Sequence, residues 1–99
     1  MIKIVYEEEK NRSVAYDEDK EVGECSYRIS PKAKLWIVDH TFVEPTYRGQ
    51  QIAQRLFAEI VERAREKGFK IYPLCPFAIR EMERKPEYTD VSRNKDKIN

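Results

Sequence analysis

The sequence holds 99 residues, enough for one domain and one modest core, so a second domain is not expected. Its 19 lysines and arginines nearly cancel 18 aspartates and glutamates to a formal +1, which gives no net field to draw nucleic acid or an anionic lipid surface. Against 37% charged residues stand 40% hydrophobic and 11% aromatic, enough apolar material for a soluble domain to fold rather than stay disordered.

The first half alternates at period two, the signature of strands: Ile2, Ile4 and Tyr6, then Val14 and Tyr16, then Cys25, Tyr27 and Ile29. Polar stretches at 7–11, 17–20 and 30–32, the last containing Pro31, are the turns of an antiparallel meander. Glu7, Glu8 and Glu9 read as one such solvated turn rather than as a paired carboxylate site. In 35–43 the alternation places Leu35, Ile37 and Val43 on one face and Trp36, Val38, His40 and Phe42 on the other. A strand apolar on both sides is expected to be central and covered on both sides.

From Ile52 the period becomes that of a helix, with Ile52, Ala53, Leu56, Phe57, Ile60, Val61 and Ala64 in one stripe. Glu59 and Arg63 stand four apart in the favourable order, and Gly68 sits where the helix should stop. Residues 69–74 suit a short buried strand, and Pro76 starts a second helix to about Lys85, stopped by Pro86. Residues 92–99 are polar and read as a frayed tail. The expected fold is α+β: a mixed sheet, with the strands at 35–43 and 69–74 running parallel across the long helix.

No apolar run approaches the roughly 20 residues that span a bilayer, and the first ten residues carry no signal-peptide core, so a cytoplasmic protein off the membrane is expected. Cys25 and Cys75 lie far apart and read as two reduced thiols. With one histidine they make a poor metal site, and no metal is expected. Exposed sheet edges leave a monomer or a weak dimer open.

The chemistry gathers at residues 43–53, Val-Glu-Pro-Thr-Tyr-Arg-Gly-Gln-Gln-Ile-Ala, which leave a strand and enter the long helix. Such a junction points unpaired N–H groups and the positive end of the helix dipole into the turn, where an anion is the natural ligand. Gly49 permits close backbone approach, Arg48 adds charge, and the small Ala53 leaves the first helical turn unobstructed. The same residues also suit a plain tight turn before a core helix. Neither a P-loop ending in Gly-Lys-Ser or Gly-Lys-Thr nor a Gly-x-Gly-x-x-Gly dinucleotide loop is present.

This stretch resembles the pyrophosphate-binding signature of the GNAT acetyltransferases: Gln or Arg, two residues, Gly, one residue, then Gly or Ala. Arg48 matches the first position and Ala53 the last, while Gln51 stands where the middle glycine is usual. Asp39-His40-Thr41, Leu74-Cys75-Pro76-Phe77-Ala78 and Pro86-Glu87-Tyr88 extend the likeness to the compact GNAT-like proteins, over residues 2–91. The resemblance implies an antiparallel sheet splayed open beside the strand at 35–43, with the pantetheine arm of acetyl-coenzyme A in the opening. It further implies that backbone groups of Phe42 and Val43 hold that arm, and that the N–H groups of Arg48, Gly49, Gln50, Gln51, Ile52, Ala53 and Gln54 hold the pyrophosphate. Full-length relatives continue with further strands, so the acceptor side is expected to be open or completed by another molecule.

Two side chains fall near the thioester that the resemblance implies. Cys75 precedes a helix N-terminus, whose dipole favours a thiolate, although cysteine is often a small buried hydrophobe. His40 can act as a base, although a lone histidine on an apolar strand is often a core residue. The function implied is an N-acetyltransferase acting on a small-molecule or protein amine by direct attack, with passage through Cys75 as a variant. The alternative is a non-catalytic module that binds coenzyme A and acts through protein contacts.

Overall fold

A computed structural model describes residues 1–93 of the chain. Strands β1 (Ile2–Glu7), β2 (Arg12–Asp17), β3 (Lys20–Ser30) and β4 (Leu35–Val43) form the antiparallel meander. Helix α1 (Ile52–Lys67), strand β5 (Lys70–Pro73) and helix α2 (Pro76–Arg84) follow. The sheet order is β1-β2-β3-β4-β5, and β5 pairs parallel to β4 from Leu35↔Lys70 to Val38↔Pro73. The mixed sheet, the helix boundaries and the parallel pair agree with the sequence reading. Ser92, expected in the tail, instead makes a parallel bridge to Ile71 on the outer side of β5, and the rest of that tail lies outside the described residues.

One face of the sheet carries the core. The apolar stripe of α1 (Ile52, Leu56, Phe57, Ile60, Val61, Ala64) packs with Ala15, Val22, Cys25, Tyr27, Trp36 and Val38, and Ala78 and Tyr88 close the cluster. Burying each large side chain of that set contributes about 1.5–3 kcal/mol. The fully buried Ser13 hydroxyl at this seam is satisfied, donating to the Leu56 carbonyl at 2.8 Å. Gly23, opposite Val43 on β3, is there for lack of room. A Cβ at this position would stand 2.9 Å from the Phe42 carbonyl oxygen and 3.4 Å from Leu56, so β3, β4 and α1 meet closely at the end of the sheet where β4 leaves it.

The second half of β4 departs from the expected alternation. Tyr27 pairs with Val38 and the preceding Ser26 pairs with His40, so Asp39 is an extra residue in β4. A bulge of this kind turns the strand over. Beyond it, Thr41 and Val43 join the helix-covered face of Trp36 and Val38, whereas Asp39, His40 and Phe42 take the other face. Burial follows the new phase: Val43 is 8% exposed and Phe42 45%. His40 is therefore on the face opposite Trp36 and Val38, and the strand is covered by helices on one side only.

Candidate active site

The sheet opens beside β4. The N–H groups of both Leu74 and Cys75 converge on the Val38 carbonyl, at 2.9 and 3.2 Å, and there the chain leaves β4 to enter α2 at Pro76. Past Val38, β4 keeps β3 on one side and has no strand on the other. The Glu44 N–H bonds the Val22 carbonyl at 2.9 Å, and the alternation of an antiparallel ladder then directs the Phe42 backbone toward β3 and the Thr41 and Val43 backbones toward the open edge. An extended ligand can pair with that edge as a strand would.

The open edge runs into the loop before α1. A 3₁₀ turn at Pro45–Tyr47 leads to Gly49, at φ +87°, and to Gln51, at φ +62°, which precedes α1. No side chain caps α1, so the N–H groups of its first turn are left for a ligand and for the dipole to act through. Val43, Tyr47, Arg48, Gly49, Gln51, Ile52, Ala53 and Gln54 line a recess of about 80 Å³ at this point, and Gln50 lies exposed between them. Gln51 holds the left-handed conformation that glycine adopts without penalty, so the chain shape survives the substitution at this position. Around Gly49 nothing stands within 4 Å of a would-be Cβ; its requirement is conformational.

Two contacts brace the loop. The Tyr47 hydroxyl donates to Asp17 Oδ2 at 2.6 Å, and Lys20 reaches Glu44 at 3.5 Å, so the β2–β3 turn props the 3₁₀ turn from below. The hydroxyl, followed by the N-terminal ammonium 3.3 Å away, holds the Asp17 carboxyl below the usual range, and the same hydrogen bond raises the Tyr47 phenol. Arg48 folds back, its Nε 3.4 Å from the Val43 carbonyl.

The two faces of β4 present different chemistry to the opening. On the helix-covered face Thr41 Oγ1 lies 3.5 Å from Cys25 Sγ and 3.4 Å from Cys75 Sγ. Burial pushes the Cys25 thiol up to about 12, with the Thr41 hydroxyl opposing it, whereas Cys75 is half-buried at the head of α2. On the other face His40 is exposed, its side chain 53% accessible, with Nε2 3.3 Å from Glu24 Oε2. A core role for His40 is thereby set aside. Glu24 Oε1 accepts from Arg12 at 2.7 Å, and Arg12 also pairs with Glu7 at 2.8 Å and Glu21 at 3.1 Å. Partial burial disfavours the Arg12 charge, but Glu24, Glu7 and Glu21 outweigh it and keep the guanidinium charged. The Tyr16 hydroxyl, and then Arg12, hold the Glu7 carboxyl down. Glu7, the last residue of β1, is thus held by Arg12 and Tyr16, while Glu8 and Glu9 after it are exposed as a solvated turn would be.

The structure thus places Val43 with the loop residues in the recess, and Cys75 beside Thr41 and His40 beside Glu24 on opposite faces of the neighbouring β4 edge, with Arg12 behind Glu24 and Asp17 behind Tyr47. Thr41 was signalled by its place beside His40 and Tyr47 by its place in the loop; Arg12, Glu24 and Asp17 come from strands whose pairing no local spacing reveals. Among the described residues no group of three His, Cys, Asp or Glu gathers as metal ligands, and no helix is long and apolar enough to cross a membrane.

Comparison with known proteins agrees with this geometry. The family model described as GCN5-related N-acetyl-transferase matches residues 12–91. A GCN5-like protein from Staphylococcus aureus is similar at 31% identity and TM-score 0.72, over 91% of this chain and 86% of its own. The fold recurs in N-acetylglutamate synthase from Neisseria gonorrhoeae, solved with coenzyme A and N-acetyl-glutamate: 19% identity, TM-score 0.65, 82% of this chain and 22% of that one. It recurs too in an aminoglycoside acetyltransferase from an uncultured soil metagenomic sample, solved with sisomicin: 21% identity, TM-score 0.64, 77% of this chain and 57% of that one. None of the curated protein sequences matches the chain.

Proposed function

We propose that this chain, which belongs to the GCN5-related N-acetyltransferase family, transfers the acetyl group of acetyl-coenzyme A to an amine by direct attack on the thioester. The observation that carries the reading is the continuity of the free β4 edge beyond Val38 with the uncapped N-terminus of α1. An extended pantetheine arm suits the edge, through Val43 and Thr41 backbone groups, and a pyrophosphate suits the N–H groups of residues 48–54. Phe42 contributes its exposed ring to the rim of the opening.

The direction of approach favours direct attack. On one side of the opening Thr41 and Cys75 stand against the helix-covered core; on the other the sheet face is uncovered and carries His40. An acceptor reaches the carbonyl from the uncovered side. There His40 takes a proton from the amine, the amine lone pair forms the C–N bond, and the C–S bond breaks to release the coenzyme A thiolate, which picks up a proton. A β4 backbone N–H facing the open edge polarises the carbonyl as charge builds on its oxygen. The acceptor is a small-molecule or protein amine. Two unbridged thiols suit a reducing compartment such as the cytoplasm.

Calorimetry with acetyl-coenzyme A and with coenzyme A, followed by a thiol-release assay against a panel of amines, tests the reading. Micromolar binding with turnover of at least one amine is expected. Binding with no turnover of any amine would leave a non-catalytic coenzyme A module in its place, and no binding would remove both.

A further inference from the structure

We propose that Glu24, clamped by Arg12, is the positioning residue that sets the tautomer of His40 and so presents the Nδ1 lone pair to the acceptor amine. The inference rests on the reading of His40 as the base, and extends it to groups that no sequence pattern marks.

The geometry is asymmetric in a useful way. Glu24 divides its two oxygens: Oε1 accepts from Arg12 Nη1 at 2.7 Å, and Oε2 lies 3.3 Å from His40 Nε2. Arg12 is itself held at three points, by Glu7, Glu21 and Glu24, with only 14% of its side chain exposed, so the carboxylate it grips has little freedom to turn. A carboxylate only accepts. At 3.3 Å its negative charge favours the neutral imidazole whose proton is on Nε2, which leaves the lone pair on Nδ1. A base must offer a lone pair, and the tautomer decides which nitrogen offers it. The residues arrive from three strands, Arg12 from β2, Glu24 from β3 and His40 from β4, and the Asp39 bulge is what turns His40 onto the face of the other two.

The isosteric variant Glu24→Gln makes a sharp test. Arg12 still donates to the one oxygen of the glutamine amide, which leaves its NH₂ group facing His40 Nε2. A donor there favours the opposite tautomer, with the proton on Nδ1 and no lone pair for the amine. Because the chain has one histidine, long-range ¹H–¹⁵N correlation of the imidazole reports its tautomer without ambiguity and without any acceptor. In the parent, Nε2–H is expected to predominate, and in Glu24→Gln it should give way to Nδ1–H. Glu24→Asp, which keeps an acceptor, should preserve the parent tautomer.

Kinetics supply the second reading, with whichever amine turns over. Glu24→Gln should lower kcat about tenfold while leaving KM for acetyl-coenzyme A and the melting temperature within error, and in a His40→Gln background it should cost nothing further. The same tautomer in parent and Glu24→Gln, or an equal loss of kcat with and without His40, would overturn the proposal while leaving His40 free to be the base. A His40→Gln variant with full kcat would overturn the base itself, and the positioning role with it.

Discussion

The phenol of Tyr47, on the loop before α1, donates a 2.6 Å hydrogen bond to the carboxylate of Asp17, thirty residues earlier at the end of β2. Together with the Lys20–Glu44 ion pair, that contact holds the height of the loop over the sheet. It also sets where the free N–H groups of the α1 terminus stand relative to the open β4 edge. A ligand spanning both depends on their separation.

Asp17→Ala is expected to weaken acetyl-coenzyme A about fivefold, the equivalent of roughly 1 kcal/mol for one net hydrogen bond. Tyr47→Phe should match it, since either change removes the same contact. Calorimetry on both single variants and the double variant checks the claim: the double should lose no more than either single. Additive losses would mean that the two residues act on the ligand separately.

At Gly49 the φ of +87° is the constraint and crowding is not, so the size of a new side chain matters less than its effect on the backbone. Gly49→Val should weaken acetyl-coenzyme A tenfold or more, about 1.4 kcal/mol, because a β-branched residue resists this region and displaces the neighbouring N–H groups. Gln51→Gly is the control. It removes the left-handed strain at φ +62° and should hold affinity within about threefold. If Gly49→Val binds as the parent does, the loop is not where the pyrophosphate sits.

These two loop positions show what a single sequence exposes and what it hides. The helix after the loop was legible because its apolar stripe repeats at 3.6 residues, and the strands because theirs repeat at two. The consequence of the Asp39 bulge was hidden. Its trace is the polar run Asp39-His40-Thr41 inside an apolar strand, where strict alternation would have put an apolar residue at His40; read as a phase change, it would have placed His40 in the open and Val43 in the core. The Arg12–Glu24 clamp left no trace at all, since partners on neighbouring strands are set by register and not by spacing. The partners of Glu7 were hidden for the same reason: a run of three glutamates shows nothing of Arg12, opposite the first of them on β2, or of the Tyr16 hydroxyl that reaches it.

Acid should unfold the protein through identifiable carboxylates. Glu7, Asp17 and Asp90 are held below their ordinary range, the first by Tyr16 and Arg12, the second by Tyr47 and the N-terminus, the third by Arg65. A carboxyl whose folded pKa is depressed stabilises the fold above its unfolded pKa, near 4, and that contribution disappears as pH falls through the folded value. The melting temperature is therefore expected to change little between about pH 7 and 5 and to fall below about pH 4. Glu7→Gln should be less stable than the parent at pH 7 and should converge on it in acid. Parallel melting curves for the two across that range would show that Glu7 makes no such contribution.

Cys75 is expected to be reactive and yet dispensable for transfer. It heads α2, half-buried, 3.4 Å from Thr41 Oγ1 on the helix-covered face of the opening, while Cys25 on the far side of that hydroxyl is fully buried with its thiol raised to about 12. An alkylating reagent should therefore modify one thiol in the native protein, Cys75, and both only after unfolding; peptide mapping by mass spectrometry reads this directly. The same accessibility allows Cys75 to pick up acetyl from the cofactor without being on the route to the amine. A covalent route would need two transfers, and the amine would have to reach an acetyl-cysteine set against the core, whereas direct attack uses the uncovered face that carries His40. Cys75→Ser should accordingly keep acetyl-coenzyme A affinity and at least a third of the parent kcat, and should lose any acetyl adduct formed with cofactor alone. If instead the serine variant folds and binds normally but transfers nothing, while the parent builds an acetyl-cysteine that discharges when amine is added, the ping-pong route replaces direct attack.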